Sequence, residues 1–265
     1  MEPSSLTSLD HSESDLLIID TETTGSGEDP GNEPIKVSWK FLAEKDSDES
    51  FLMCPGVPCL PSCTVIHGIT QRQMQTYTPI EKVLPLVWDR FHSYSPRTVV
   101  CGYHVSYDIW VLNNAFRKYL QRSFRSKRVL DVMRLAQKLL KIKELGNFRL
   151  DTVYYFLYPR FLERLHTLRA THSASVDVQL TETVLAALWA RLEDSLGETY
   201  LLDQVVDYSL APMVIDIWPF GKHKGVAVKD VLSQTPDYVE WFMDKCDFRD
   251  QWPDLVYTIK QLQAF

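Results

Sequence analysis

The chain has 265 residues, 45% of them hydrophobic and 24% charged, which is ordinary for a water-soluble globular protein. That length gives one large domain, or a medium domain with a small appendage, and excludes a mini-protein, a coiled coil, a collagen and a wholly disordered chain. Twenty-eight Lys and Arg against 35 Asp and Glu leave a formal charge of −7, a mean that speaks against a nucleic-acid binder.

The charge is uneven. Residues 1–50 carry 13 acidic and 3 basic side chains, whereas residues 117–149 carry 11 basic and 2 acidic ones. The basic block reads either as a solvated helical face or as a surface for phosphates. Its position directly after Asp108 favours the second reading. Residues 1–14, rich in Ser and acids, are expected as a disordered tail without the basic start and apolar run of a signal peptide. The longest apolar runs are too short for a bilayer, so no membrane contact and an intracellular, cytoplasmic location are expected. Five cysteines, an odd number in a long chain, point to reduced thiols.

In chain order, residues 16–20 read as a buried strand and 25–34 as a loop rich in Gly, Pro, Asp and Asn. Residues 35–42 and 51–53 read as two more strands, followed by a loop with Pro55, Pro58 and Pro61. Val83, Leu84, Val87, Trp88 and Phe91 mark a helix over 80–93. A short strand over 99–102 leads into a helix with apolar residues at 109, 112, 115, 116, 119 and 120. Residues 129–130 make a fifth strand, with helices expected over 132–140 and 174–192. This order implies an α/β fold, a mixed five-stranded sheet flanked by helices. Residues 15–195 form the expected main domain and 196–212 a linker. A small α+β module over 213–265 is expected to hold a strand near 214–218, a Gly-Lys-His-Lys-Gly turn at 221–225, and helices opening at Pro236 and Pro253. Thr235 stands where an N-cap belongs.

The chemistry begins at Asp20-Thr21-Glu22-Thr23-Thr24-Gly25. Residues two apart on a strand point the same way, so Asp20 and Glu22 present two carboxylates on one face. Two such anions repel unless a cation lies between them, and oxygen ligands suit Mg²⁺ or Mn²⁺. Asp108 falls in the first turn of a helix, where the dipole favours an acid with or without a further role. His172 precedes a helix and Asp177 sits about one turn inside it.

In this order the motifs Ile19-Asp20-Thr21-Glu22-Thr23-Thr24-Gly25, Ile66-His67-Gly68-Ile69-Thr70, Tyr107-Asp108, Leu130-Asp131 and His172-x-Ala174-x-x-Asp177 resemble the DEDDh 3′→5′ exonucleases. These belong to the ribonuclease H-like superfold and are relatives of polymerase proofreading subunits. The resemblance implies that Asp20 bridges two Mg²⁺ or Mn²⁺ ions, that Glu22 and Asp177 hold the first, and that Asp108 holds the second, directly or through water. It implies His172 as the general base for the attacking water, with Thr23, Thr24, His104 and Tyr107 touching the terminal nucleotide. One departure stands out: Tyr103-His104 replaces the His-Asn usual in the family.

Lys222 and Lys224, in a turn that resembles the C-terminal module of exonuclease X-like proteins, are candidate phosphate contacts. The following Tyr238, Trp241 and Phe242 have core-like helical spacing. Cys54, Cys59, Cys63 and His67 offer a zinc set whose spacing does not match common knuckles. The expected activity is removal of nucleoside 5′-monophosphates from DNA 3′ ends in repair or proofreading, with a DNA polymerase as a candidate partner. RNA trimming, or a silent subunit that binds polymerase or nucleic acid, is the alternative. The oligomeric state stays open.

Overall fold

Strand β1 (Leu16–Thr23) is buried on both faces over its first four residues, as its unbroken apolar run dictates. A computed structural model describes residues 16–27, 29–42, 44, 48–124, 128–169, 174–246 and 249–263; the expected tail at 1–14 lies outside them. Leu16 and Ile18 pack into one hydrophobic cluster, Leu17 and Ile19 into another. The parity of the strand therefore assigns every later side chain to a side of the sheet.

The chain continues through β2 (Pro34–Phe41), β3 (Glu49–Leu52), α1 (Pro61–His67), α2 (Gln71–Met74) and α3 (Ile80–Ser93). Then come β4 (Val99–Gly102), α4 (Val105–Leu120), β5 (Val129–Asp131), α5 (Val132–Leu139) and α6 (Ile142–Leu145). Helices α7 (Leu150–Leu157), α8 (Leu162–Arg169), α9 (Ala174–Leu196) and α10 (Leu202–Leu210) complete the first unit. The strand order is β3-β2-β1-β4-β5. β2 runs antiparallel to both β1 and β3, and β4 runs parallel to β1 and β5. This is the mixed five-stranded sheet that the sequence predicts.

Leu16 and Ile18 face α5, α7, α9 and α10, while Leu17 and Ile19 face α3 and α4. Val37, Trp39 and Phe41 of β2 join the α3/α4 side. Lys36, Ser38 and Lys40 consequently point to the α9 side. There Lys40 Nζ meets Glu182 Oε2 of α9 at 2.7 Å, with Glu182 10% and Lys40 26% exposed. Lys36 Nζ reaches Ser175 Oγ at 3.4 Å. Two lysines on one strand thus grip one helix two turns apart.

The expected linker at 196–212 is a correction. Most of it is α10, whose Leu202, Val205 and Val206 are buried in the α9-side cluster. Its apolar spacing of three and one is helical, and the helix covers a sheet edge that β5 alone would expose.

The chain divides into two compact units after Leu210. The second contains α11 (Val228–Gln234), α12 (Pro236–Lys245) and α13 (Pro253–Gln263). They pack around Trp218, which is fully buried with Phe242, Leu255 and Ile259. The strand expected near 214–218 is reduced to a single bridge, Ile217 to Ala227. The turn returns the chain for only one rung, so this unit is helical. Thr235 does precede α12, but its hydroxyl donates to the Val231 carbonyl at 3.0 Å and closes α11 instead of capping α12. Phe242 is core, as its spacing predicts, whereas Trp241 is 38% exposed.

Replacing Glu182 with Ala strands Lys40 against α9. The loss expected lies between exposed-pair and buried-pair values, about 2–3 kcal/mol in urea melts. No change in the melting midpoint would show that the pair does not anchor the helix.

Candidate active site

Asp20 and Glu22 continue the face of β1 that carries Leu16 and Ile18, so both carboxylates leave the sheet on the α9 side. Asp177 enters from the first turn of α9. One ligand atom from each of these half-buried acids lies within 4.8 Å of the others. Ionised pairs at that spacing repel by roughly 3 kcal/mol each at an effective dielectric near 20. Three carboxylate oxygens so placed fit a hard divalent cation, Mg²⁺ or Mn²⁺, better than a soft one.

Asp108 does not join them. It lies in the first turn of α4, on the other side of the sheet, and there it accepts a 2.7 Å hydrogen bond from the Thr21 hydroxyl. Thr21 is the residue between the two acids, so parity sends it the opposite way. Asp108 is 4% exposed, and burial pushes its carboxyl up to about 7 despite the Thr21 hydrogen bond that opposes it. Asp20, Glu22 and Asp177 form the tight set, while Asp108, expected on a second ion, is held by Thr21. His172 lies outside the described residues.

The turn after β1 is braced for close approach. Thr23 Oγ1 donates to the Gly25 carbonyl at 2.8 Å, and the Tyr107 hydroxyl donates to the same oxygen at 2.7 Å. A Cβ at Gly25 would sit 1.9 Å from Asn32 Oδ1, so a larger residue there must displace the Asn32 side chain from its hydrogen bond to the Gly27 carbonyl. Thr23, Tyr107 and His104 line a hollow of about 350 Å³ that also touches Glu22. Thr24 is a correction to the expected substrate contacts: 2% exposed, it turns inward and accepts from the Glu33 amide at 2.9 Å. His104 takes the left-handed conformation, φ 65° and ψ 39°. Its amide donates to Asp131 Oδ1 at 3.1 Å.

A groove of about 1050 Å³ opens beside Asp177, its walls including Ile66, His104, Asn147 and Arg149. The basic block does not form one face along it. Lys118 is paired with buried Glu33, Arg128 with Asp203, while Arg134 and Lys138 donate to the Ser209 and Tyr208 carbonyls. Those cations tie the fold together.

Glu33 and Lys36 carried no signal in the sequence, and Asp131 does more than its motif implied. Glu33 is 3% exposed at its side chain and accepts from Lys118, the Tyr119 hydroxyl at 2.8 Å and the Gly56 amide at 2.6 Å. Asp131, named in the Leu130-Asp131 motif, also caps α5 through the Met133 amide at 2.9 Å. Lys36 stands directly opposite Glu22 in the β1–β2 register.

The thiols do not assemble a metal site with His67: among the described residues the convergent group is Asp20, Glu22 and Asp177. All five cysteines are free. His67 serves the loop. Its Nδ1 accepts from the Ile69 amide at 3.0 Å, which leaves the proton on Nε2, near Cys59 Sγ and the Thr23 backbone. In the second unit, Lys222 Nζ lies 4.5 Å over the Tyr238 ring, in the turn between Gly221 and Gly225. Lys224 of the same turn is exposed.

The RNase T family model, described as Exonuclease, matches residues 17–185. A second model, Exodeoxyribonuclease X-like C-terminal, matches residues 219–247. Exodeoxyribonuclease 10 of Escherichia coli strain K12 is 27% identical over 248 residues, covering 92% of this chain and 97% of that protein. A structure of E. coli exonuclease I in complex with a dT13 oligonucleotide is similar with a TM-score of 0.50 and 19% identity, over 70% of this chain and 43% of that one. Exonuclease X in complex with 5′ overhanging duplex DNA gives a TM-score of 0.45 and 20% identity, over 73% of this chain and 99% of that one. The chain thus spans less than half the length of exonuclease I, and that likeness is one of fold. No helix among the described residues is long and apolar enough to cross a membrane.

Burial holds the His67 imidazole below its ordinary value of 6.5, against the hydrogen bond to Thr23 that raises it. The unfolded chain then binds the extra proton first, so this contribution to stability is present above pH 6.5 and falls as the pH drops below it. Thermal melts between pH 7.5 and 5.5 should show that decline. His67→Gln should flatten it, and an equal decline in the variant would assign it elsewhere.

Proposed function

Because the chain belongs to the RNase T family of exonucleases, we propose that it is a metal-dependent 3′→5′ exonuclease releasing nucleoside 5′-monophosphates, with DNA 3′ ends as its substrate. The observation that supports this most directly is the convergence of Asp20, Glu22 and Asp177, with Glu22 lining a hollow walled by Thr23, His104 and Tyr107 and Asp177 lining the neighbouring groove. The likeness to a curated exodeoxyribonuclease along nearly the whole chain favours DNA over RNA.

In this reading Asp20, Glu22 and Asp177 would hold a divalent ion, and by the family resemblance Asp20 and Asp108 would hold a second. When bound, such ions stabilise the attacking and leaving oxygens of an in-line displacement at phosphorus. The chain supplies the rest. The Thr23–Gly25–Tyr107 brace fixes the wall on which the terminal nucleotide rests, so the scissile phosphate meets the acids in one geometry. The groove beside Asp177 gives the preceding nucleotides a path, with Arg149 and Asn147 as polar contacts on its wall. His172, five residues before Asp177 in the sequence, is the base we assign to the attacking water, since the ordinary near-neutral pKa of a histidine suits proton removal at physiological pH. We read the biological role as end trimming in repair or in proofreading beside a polymerase.

Purified protein with Mg²⁺ and 5′-labelled single-stranded DNA, duplex DNA and RNA is expected to shorten DNA from its 3′ end and release mononucleotides. Asp20→Ala and Asp177→Ala should reduce this to background while the circular dichroism spectrum is unchanged. Full activity in either variant, or in excess EDTA, would sink the mechanism; faster trimming of RNA would reassign the substrate.

Lys222 and Lys224 we assign to the DNA backbone. Replacing both with Ala should weaken binding and lower the slope of affinity against salt by about one per lost phosphate contact. An unchanged slope in filter-binding titrations would remove the second unit from the phosphate interface.

A further inference from the structure

Lys36 belongs to neither the hydrophobic core nor the set of acids, yet the sheet delivers it to the middle of them. In the β1–β2 register it pairs with Glu22, while Ser38 pairs with Asp20. Side chains opposite each other on antiparallel strands share a face and lie within about 5.5 Å at Cβ, so the ammonium and the Glu22 carboxylate leave the sheet together. On the α9 side the same ammonium hydrogen-bonds Ser175 Oγ at 3.4 Å, two residues before Asp177. Lys36 therefore touches both segments that carry the acids. Burial draws its pKa down, while the charges of Glu22 and then Asp20 act to raise it. Lys40, four residues or about 13 Å further along the same face, is satisfied by Glu182 instead.

We propose that Lys36 is a resident counter-cation of the Asp20/Glu22/Asp177 site, holding the three carboxylates together without metal and opposing the divalent ion when it binds. This rests on reading the three acids as a metal site. A fixed positive charge beside the ligands has two consequences. It offsets part of the repulsion among the acids, so the metal-free site stays assembled and α9 remains docked. It also repels an incoming cation, which keeps metal affinity below what three acids alone would give. For an ammonium and a divalent ion about 6 Å apart in a water-like dielectric, removing the ammonium charge is expected to tighten binding by about tenfold. Lys36 is a positioning residue in this scheme: it acts through the carboxylates and needs no contact with substrate.

The test is Mn²⁺ binding to the full chain by titration calorimetry, paired with melting in EDTA. Lys36→Gln keeps a donor for Ser175 and loses the charge, and Lys36→Met loses both. Each is expected to bind Mn²⁺ about tenfold more tightly than the unmodified protein and to melt at a lower temperature in EDTA. Lys36→Arg should stay within about twofold of the original affinity. Lys40→Met is the control for a merely structural role; it should lower the melting temperature and leave Mn²⁺ affinity unchanged. Equal or weaker Mn²⁺ binding in a folded Lys36→Gln protein overturns the assignment of Lys36. Absence of Mn²⁺ binding in the unmodified protein overturns the metal-site reading itself, and the assignment of Lys36 with it.

Discussion

The site depends on the two-residue alternation of one strand buried on both faces. Leu16 and Ile18 are locked among α5, α7 and α9, and Leu17 and Ile19 among α3 and α4. A slip of one residue would reverse all four at once, so the strand has one orientation. Asp20, Thr21 and Glu22 inherit it. The two acids go to α9 and Asp177, and the hydroxyl goes to α4 and Asp108. Two carboxyl environments result on either side of a single backbone. The half-buried trio is shaped by mutual repulsion, and the buried Asp108 by desolvation and a neutral partner.

Other buried acids stiffen the frame. Glu33 gathers an ammonium, a phenol and an amide, joining the turn after β1 to α4 and to the loop that follows β3. A buried carboxylate with three donors is well compensated; with one removed it would not be. Asp131 does similar work at the other end of α4, accepting from His104 and Met133. It bears on the departure from the family pattern. A left-handed residue at position 104 costs a β-carbon-bearing side chain roughly 1 kcal/mol, and asparagine is among the residues that tolerate it best. His104 keeps that conformation with its amide pinned by Asp131, and its ring lies nearly parallel to that of Tyr107, 5° between planes.

Features governed by local periodicity were readable from the sequence, and those governed by distant partners were not. The helix predicted over 80–93 is α3, residue for residue, because its apolar spacing is sustained for four turns. The five strands and their order of appearance follow equally from short apolar runs. Asp20, Glu22 and Asp177 were readable because strand parity and a helix start place them. The hydrogen bond between Asp108 and Thr21 was not readable, because it joins residues 87 positions apart. Thr24 looked like a surface residue until Glu33 claimed its hydroxyl. The helix in the expected linker was missed because nine residues give only two turns of pattern.

Charge illustrates the same division. The basic block at 117–149 looked like a phosphate surface because sequence records sign and density and is silent on pairing. Folded, Lys118 answers Glu33, Arg128 answers Asp203, and Arg134 and Lys138 hold the last turn of α10 through its carbonyls. Lys118 joins α4 to the segment before β2, Arg128 joins the start of β5 to α10, and Arg134 and Lys138 join α5 to α10. Arg149, on the groove beside Asp177, is differently placed. On the proposed reading, attraction for a nucleic acid is therefore concentrated at the acids and the cation they hold. On that reading a chain with a net charge of −7 would need few phosphate contacts, because Asp20, Glu22 and Asp177 would hold the metal ion through which a phosphate binds.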